Sequence, residues 1–306
     1  MQYETAGDPM TGLKWTRRTT TKIAQELRAL DIEVSDRTVA KLLKQMDFSL
    51  RVNHKKLSRV SRVSAEERDA QFVRIAELRE CFAAKGLPLI RVDAKKRELV
   101  GRFKNPGAAW NRKPVPVNDH DFRSDAEGIA IPYGIYDMLA NRGTVFVGAS
   151  YNTPQFAAES IEKWWRNAGR QRYDGADQIA ILADGGGNNG ATCRAWKCDL
   201  HRTLRERHGL TVAVAHYPSG ASKWNPIEHR MFSEISKNWA GRPLDSYQTS
   251  LNDIRTTRTT TGLRLRAHLV RKRYKKGIRI TDSAIRQLPL AKDPVLPRWN
   301  YTLSPS

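Results

Sequence analysis

Asp93 and Asp184 each end an apolar run, "LPLIRVD" and "QIAILAD", and runs of that length read as buried strands. Two carboxylates delivered to adjacent strand ends repel each other in a partly dry site. The arrangement becomes reasonable when divalent cations lie between them. Mg²⁺ takes oxygen ligands and is held by one or two carboxylates plus substrate phosphate, and Mn²⁺ is the expected substitute. Two such ions, roughly 3.5–4 Å apart, activate a water or a 3′-hydroxyl and stabilise the leaving oxygen of an in-line displacement. A third acid is needed, and Glu228 in "NPIEHRMFSEI" is the candidate. Asn225 and Glu228 also stand at N-cap and N3 spacing, so Glu228 either completes a capping box or shares the sheet-facing side of its helix with Phe232 and Ile235. Spacing alone leaves both readings open.

Gly185, Gly186, Gly187, Asn188, Asn189 and Gly190 follow Asp184. Glycines there remove bulk, so a polynucleotide backbone can come close, and Asn188 and Asn189 offer amide hydrogen bonds without adding negative charge. A phosphate-gripping loop of the Walker type fails because Ala191 stands where the Lys is required, and no G-x-G-x-x-G opens a helix after the first strand. Zinc at Cys193, Cys198 and His201 is disfavoured: on a helix the first and last lie about 12 Å apart along the axis, with no fourth ligand nearby. Asp119 and Asp121 in "NDHDF" read as turn or solvated residues, and His229 as either a neighbour of the acids or an ordinary histidine. Of Trp164 and Trp165, one is expected in the core and one on its flank.

The elements that would carry these acids alternate. Two short helical patterns occupy residues 19 to 47, with Ile23, Leu27 and Leu30 in the first. Ser35 caps the second, whose stripe is Val39, Leu42, Leu43 and Met46. Their separation is that of a helix-turn-helix, and Arg37, Lys41 and Lys44 point away from the stripe, where DNA-reaching side chains are needed. A basic connector follows, then a helix capped by Ser64 and Glu67 with Phe72, Ile75, Ala76 and Phe82 inward. "ELVGRF" is an expected antiparallel neighbour of the first strand, and residues 104–143 read as an irregular insertion. "TVFVGAS", a helix from about 154 to 168, "IAILAD", a helix after Gly190, "LTVAVAHYP" and the helix at Asn225 complete the alternation. Three strands, then helix, strand, helix, strand, helix is a ribonuclease H-like order, and ligands of open sheets gather at the carboxyl ends of strands.

The 306 residues carry 53 Lys plus Arg against 32 Asp plus Glu, a formal charge of +21, and 40% are hydrophobic. That is enough apolar material for a globular fold, and the charge points to a nucleic-acid partner. No apolar run approaches the ~18 residues of a membrane span. "MQYETAGDPM" has no signal-peptide character, and three cysteines suit a reducing compartment. A cytoplasmic, nucleoid-associated location is expected. Lys95, Lys96, Arg97 and "RKRYKK" at 271–276 are candidate phosphate holders whose effect would depend strongly on salt.

"VDAKKRELVGRFKNPG", "PYGIYD", "ADGGGNNG", "HYPSGASKWNPIEHRMFSEISKNWAGRPL" and "WNYTL" resemble, in order and over nearly the whole chain, the ISAzo-thirteen family of bacterial insertion-sequence transposases. The resemblance implies a ribonuclease H-like DDE catalytic domain, Mg²⁺-dependent cleavage and joining of DNA, and a triad on Asp93, Asp184 and Glu228. Lys223 joins the expected DNA contacts, and a homo-oligomer on DNA is expected. Members carry a longer N-terminal region before the segment like "GDPMTGLKW", which begins here at residue 7, so an N-terminally shortened copy is expected. The fold class expected is α/β, a mixed sheet flanked by helices after an all-α helix-turn-helix module. Its boundaries are 1–62 for that module and connector, 63–245 for the catalytic domain, and 246–306 for a basic helical or extended tail. Two other readings stay open: a non-catalytic DNA-binding remnant, and a ribonuclease H-like nuclease that cuts without joining.

Overall fold

Side-chain caps start several helices at the positions the sequence marks. The computed structural model describes residues 6–7, 14–15, 18–49, 63–218 and 225–304. The chain divides into two units, Met1–Ser58 and Arg59–Ser306, each described by itself. In the first, a short pair of strands, β1 (Ala6–Gly7) and β2 (Lys14–Trp15), precedes α1 (Thr20–Arg28) and α2 (Asp36–Gln45). Thr19 and Ser35 hydroxyls accept from the Lys22 and Thr38 amides, satisfying helix-start donors. Ile23, Ala24 and Val39 form the shared core, with Leu27, Val34 and Leu43 packed on it. The stripe is narrower than its sequence suggests, because Leu30, Leu42 and Met46 are exposed. Arg37, Lys41 and Lys44 are exposed as expected.

The second unit begins with α3 (Ala65–Ala84), where Ser64 Oγ accepts from Glu67 N. Gln71, Ile75 and Phe82 are its buried residues; Phe72 is only partly covered. Then come β3 (Leu89–Ala94), β4 (Glu98–Val100), β5 (Gly128–Asp137) and β6 (Arg142–Gly148). Next are α4 (Pro154–Trp164), a π-helical turn over Trp165–Gly169, α5 (Arg170–Arg172) and β7 (Gln178–Asp184). α6 (Arg194–Leu200) runs into a second π-helical turn, His201–Glu206, before β8 (Thr211–Tyr217). A third π-helical turn, Glu228–Phe232, leads into α7 (Ser233–Asn238). The chain closes with α8 (Tyr247–Thr256), β9 (Arg264–Val270), α9 (Asp282–Arg286), β10 (Leu290–Lys292) and β11 (Asn300–Leu303).

The sheet order is β10-β11-β8-β7-β3-β5-β6-β9, with β4 paired to β5 off that path. β5 is antiparallel to β3 and β6, while β7 is parallel to β3 and β8 parallel to β7. Alternation along the strands splits the core between two faces. Ile90 and Val92 of β3, and Ile179, Ile181 and Ala183 of β7, pack with α4 and α6. Leu89, Ala180 and Leu182 pack on the other side, against α3. Burial on both faces explains why β3 and β7 read as unbroken apolar runs.

Four expectations are corrected. The antiparallel neighbour of β3 is β5, not "ELVGRF", which forms the short β4 on the far part of β5. The irregular section therefore ends at about residue 127, and 128–143 lies mostly in strands. Pro132 is tolerated there because its carbonyl accepts from Lys95 N just past the last residue of β3, so the missing N–H faces a ladder that has ended. Residues 246–306 are not a tail: β9 adds in parallel to β6, and β11 adds antiparallel to β8, so this segment supplies both edges of the sheet. Trp164 and Trp165 are both buried, where one flank residue was expected. Among the described residues, no helix is long and apolar enough to cross a membrane.

Candidate active site

The parallel register Val92↔Ala183 makes Asp93 and Asp184 the next residues on neighbouring strands. Strands in a sheet lie about 4.8 Å apart, so both acids leave the sheet together at its carboxyl edge. Asp93 is followed by the basic turn, Asp184 by the glycine loop. Gly187 adopts φ +67°, a left-handed conformation, and a Cβ on Gly190 would lie 3.1 Å from the Gly187 carbonyl oxygen. A Cβ on Gly186 would meet open space. Backbone geometry favours glycine at 187, through its left-handed φ, and at 190, through the close carbonyl; openness at 186 fits approach of a large ligand.

Glu228 arrives from the other direction, at the start of the π-helical turn, where the Ser233 amide reaches back to the Glu228 carbonyl. The extra residue of a π turn re-aims side chains. Asn225, nearly buried, takes two roles: its Oδ1 accepts from Ile227 N at 3.3 Å, and its Nδ2 donates to Asp93 Oδ2 at 3.2 Å. The cap thus ties the start of the Glu228 helix to Asp93. Phe232 and Ile235 are buried, as the sheet-facing reading of that helix requires.

The three carboxylates act on one another. Burial, with the charges of Asp184 and Glu228 adding to it, pushes Asp93 up to about 7, against the pull of the Ala94 amide. Burial also raises Asp184, opposed by the Gly185 amide. Glu228 is raised by burial, with Lys95 and His229 opposing and Asp184 reinforcing. Among the described residues, however, no three His, Cys, Asp or Glu side chains are gathered closely enough to hold a metal ion. The hydrogen bonds give a reason. Asp93 Oδ1 turns to Ala94 N and Asp184 Oδ1 to Gly185 N, both at 2.7 Å, so each acid folds back on its own backbone. The donor set is all oxygen and mutually repelling, which suits a hard divalent cation in chemistry; the closed geometry requires the side chains to turn.

The expected DNA contacts divide. Lys96 and Arg97 are exposed beside Asp93. Lys95 is instead tethered, with Nζ 2.9 Å from Glu98 Oε1 and 4.5 Å from the Trp239 ring centroid, and its charge reaches Glu228. Asn188 donates to the Asn152 carbonyl at 2.5 Å. Asn189 is buried and donates to the Tyr133 hydroxyl at 3.0 Å, so it braces the site from within rather than facing DNA. Lys223 lies outside the described residues. In "RKRYKK", Lys272 pairs with Glu159, Tyr274 is buried, and Lys276 covers the Tyr151 ring. Asp119 and Asp121 are exposed.

Sequence reasoning missed Tyr133, whose phenol is fully buried and feels the Asp93 charge, and it missed the second role of Asn225. It also missed His216. That ring is buried at the end of β8, and Nδ1 sits 3.0 Å from the Asp184 carbonyl oxygen. A carbonyl only accepts, so the neutral ring carries its proton on Nδ1; Nε2 has no hydrogen-bond partner among the described residues. Burial lowers His216 to about 4, against the pull of the Asp184 carbonyl. The folded value lies below the unfolded one, so the neutral ring contributes stability above about pH 6.5 that is lost as pH falls towards 4. Between about pH 7 and pH 4, the wild type should lose about 3 kcal/mol more than His216→Gln, read from urea midpoints at each pH.

A sheet in which β3, β5 and β6 follow one another antiparallel, and β7 and β8 then add parallel on the other side of β3, with acids at the shared carboxyl edge, defines a ribonuclease H-like class. The chain belongs to the family described as Rhodopirellula transposase DDE domain, whose model matches residues 1–305. No curated protein matches it in sequence. Among solved structures it is similar to the Mos1 transposase paired-end complex with left transposon end, at 16% identity and a TM-score of 0.44, covering 76% of this chain and 64% of that one. It is also similar to the Mos1 strand transfer complex, at 15% identity and 0.43, covering 76% and 63%, and to the Mos1 mariner paired-end complex with Mn, at 15% and 0.42, covering 76% and 64%. The chain thus spans under two thirds of the length of these chains.

Proposed function

We propose that the chain is a DNA transposase whose Asp93, Asp184 and Glu228 hold divalent cations, Mg²⁺ or Mn²⁺ and two in number, for cleavage of element ends and their transfer into target DNA. The observation that carries this reading is that Asp93 and Asp184 leave adjacent parallel strands side by side while Asn225, three residues before Glu228, donates to Asp93, in a chain of the transposase DDE family. Bound cations would sharpen a water or a DNA 3′-hydroxyl as nucleophile and offset charge on the leaving oxygen. The chain's own residues do the positioning. Asn225 fixes the Asp93 carboxylate through its amide. Lys95, held by Glu98 and Trp239, keeps positive charge near Glu228 and so favours its ionised form. Lys96 and Arg97 are free to take backbone phosphates, the glycine loop admits the strand, and Lys223 adds a further contact. α1 and α2 act as a helix-turn-helix that docks on DNA through Arg37, Lys41 and Lys44. The protein works as a homo-oligomer on DNA, in the cytoplasm at the nucleoid.

Incubating the full chain with duplexes of its flanking element ends, with and without Mg²⁺, tests the proposal. Metal-dependent nicks at the ends, followed by covalently joined target products, are expected. Binding without nicking would make the chain a DNA-binding remnant, and nicking without joined products a simple nuclease.

A further inference from the structure

Six arginines line one cavity of about 270 Å³ on the second unit: Arg142, Arg172, Arg255, Arg258, Arg264 and Arg266. It lies away from the carboxylates. Arg142 and Arg264 are partners across β6 and β9, whereas the Asp93 row crosses β6 at Val145, three residues on. Three residues along the strands and three strands across amount to about 17 Å. Arg264 and Arg266 alternate with Leu265 and Ala267, which pack with the Glu228 helix, so the cavity opens on the other face of the sheet.

Half of these charges are already engaged. Arg172 pairs with the fully buried Asp137 at 2.6 Å. Arg255 grips the Ala267 carbonyl through Nε and Nη2, at 3.1 and 2.8 Å, and Arg142 donates to the Asn141 and Gly262 carbonyls. Arg258, Arg264 and Arg266 have no carboxylate partner among the described residues. His268, beside them on β9, has its pKa lowered by burial and then by Arg255, Arg266 and Lys163, so the local potential is positive. Asp137 answers the charge of Arg172 alone; the five other like charges repel one another, and a fold that keeps them around one hollow gains when a further anion enters. All six are arginine, the side chain whose planar fork meets a phosphate with two parallel bonds. The volume is below that of an ordinary small-molecule site. It suits neighbouring phosphate groups projecting from a polymer backbone.

We propose that this cavity seats backbone phosphates of a DNA segment other than the one held at the carboxylates. The inference rests on the DNA reading above. It is tested by arginine footprinting of the full, unaltered chain with phenylglyoxal and mass spectrometry, in the presence of duplex DNA, inorganic phosphate at equal phosphate concentration, or polyglutamate. Duplex DNA is expected to slow modification of Arg258, Arg264 and Arg266 at least fivefold, with little effect from the other two anions. As a second measurement, R258Q/R264Q/R266Q should retain the fold by circular dichroism and show a log–log salt slope of DNA binding shallower by about 2, for two lost phosphate contacts. DNA that binds and shields Arg97 while leaving the three cavity arginines reactive overturns this inference alone. Equal protection by free phosphate or by polyglutamate also overturns it, in favour of a small anion or an acidic protein segment. Failure of any duplex to bind would overturn the DNA reading, and this inference with it.

Discussion

Asp184→Asn is expected to reduce metal-dependent cleavage roughly 1,000-fold or more while changing duplex affinity by less than about threefold. The substitution keeps the shape of the side chain and an acceptor for Gly185 N, and replaces the charged carboxylate with a neutral amide. A structural role predicts lower stability. The electrostatics predict the reverse, because Asp184 raises both Asp93 and Glu228. Without metal, the variant should melt at or above the wild-type temperature. Cleavage by the variant at near wild-type rate would remove Asp184 from the reaction; an unchanged melting temperature together with lost cleavage would support its role as ligand.

The second large effect is expected at Gly134, which pairs with Asp93 across β3 and β5. A Cβ there would run into the Met231 methyl and come within 2.7 Å of the Phe232 ring, both on the turn that begins at Glu228. Met231 can bend away; the Phe232 ring, nearly fully buried, has little room. Gly134→Ala should therefore cost about 1–3 kcal/mol, lowering the melting temperature by several degrees for a unit of this size. It should also push the Glu228 turn off the sheet and depress cleavage beyond what the lost stability explains. Gly186→Ala is the control, since its Cβ meets open space, and its stability should stay within about 0.5 kcal/mol of wild type.

What the sequence revealed follows from how each strand is buried. β3, β7 and β8 are covered on both faces and announce themselves as apolar runs, and the acids ending two of them were visible with them. β5 was hidden by Gly128, Pro132 and Gly134, residues that normally break strands. Here Gly134 exists to let Met231 and Phe232 approach, and Pro132 faces the finished end of β3. β9 and β11 were hidden because edge position is a tertiary property: "RLRAHLV" alternates, yet nothing local says which strand it joins. At the site, residue type singled out Asp93 and Asp184, while spacing left Glu228 open and the family resemblance selected it. The amide of Asn225 on Asp93, and Asn189 turned inward onto Tyr133, depend on contacts more than fifty residues apart in the chain, and no local pattern carries them.

Crystals of the protein grown with Mn²⁺, measured at the manganese absorption edge, address the metal centre directly. Anomalous density is expected between Asp93 and Asp184, with oxygens of both and of Glu228 at about 2.1 Å, the side chains having turned away from the Ala94 and Gly185 amides. Manganese bound elsewhere at saturating concentration, with Asp93 and Asp184 still folded onto their own backbone, would contradict the account.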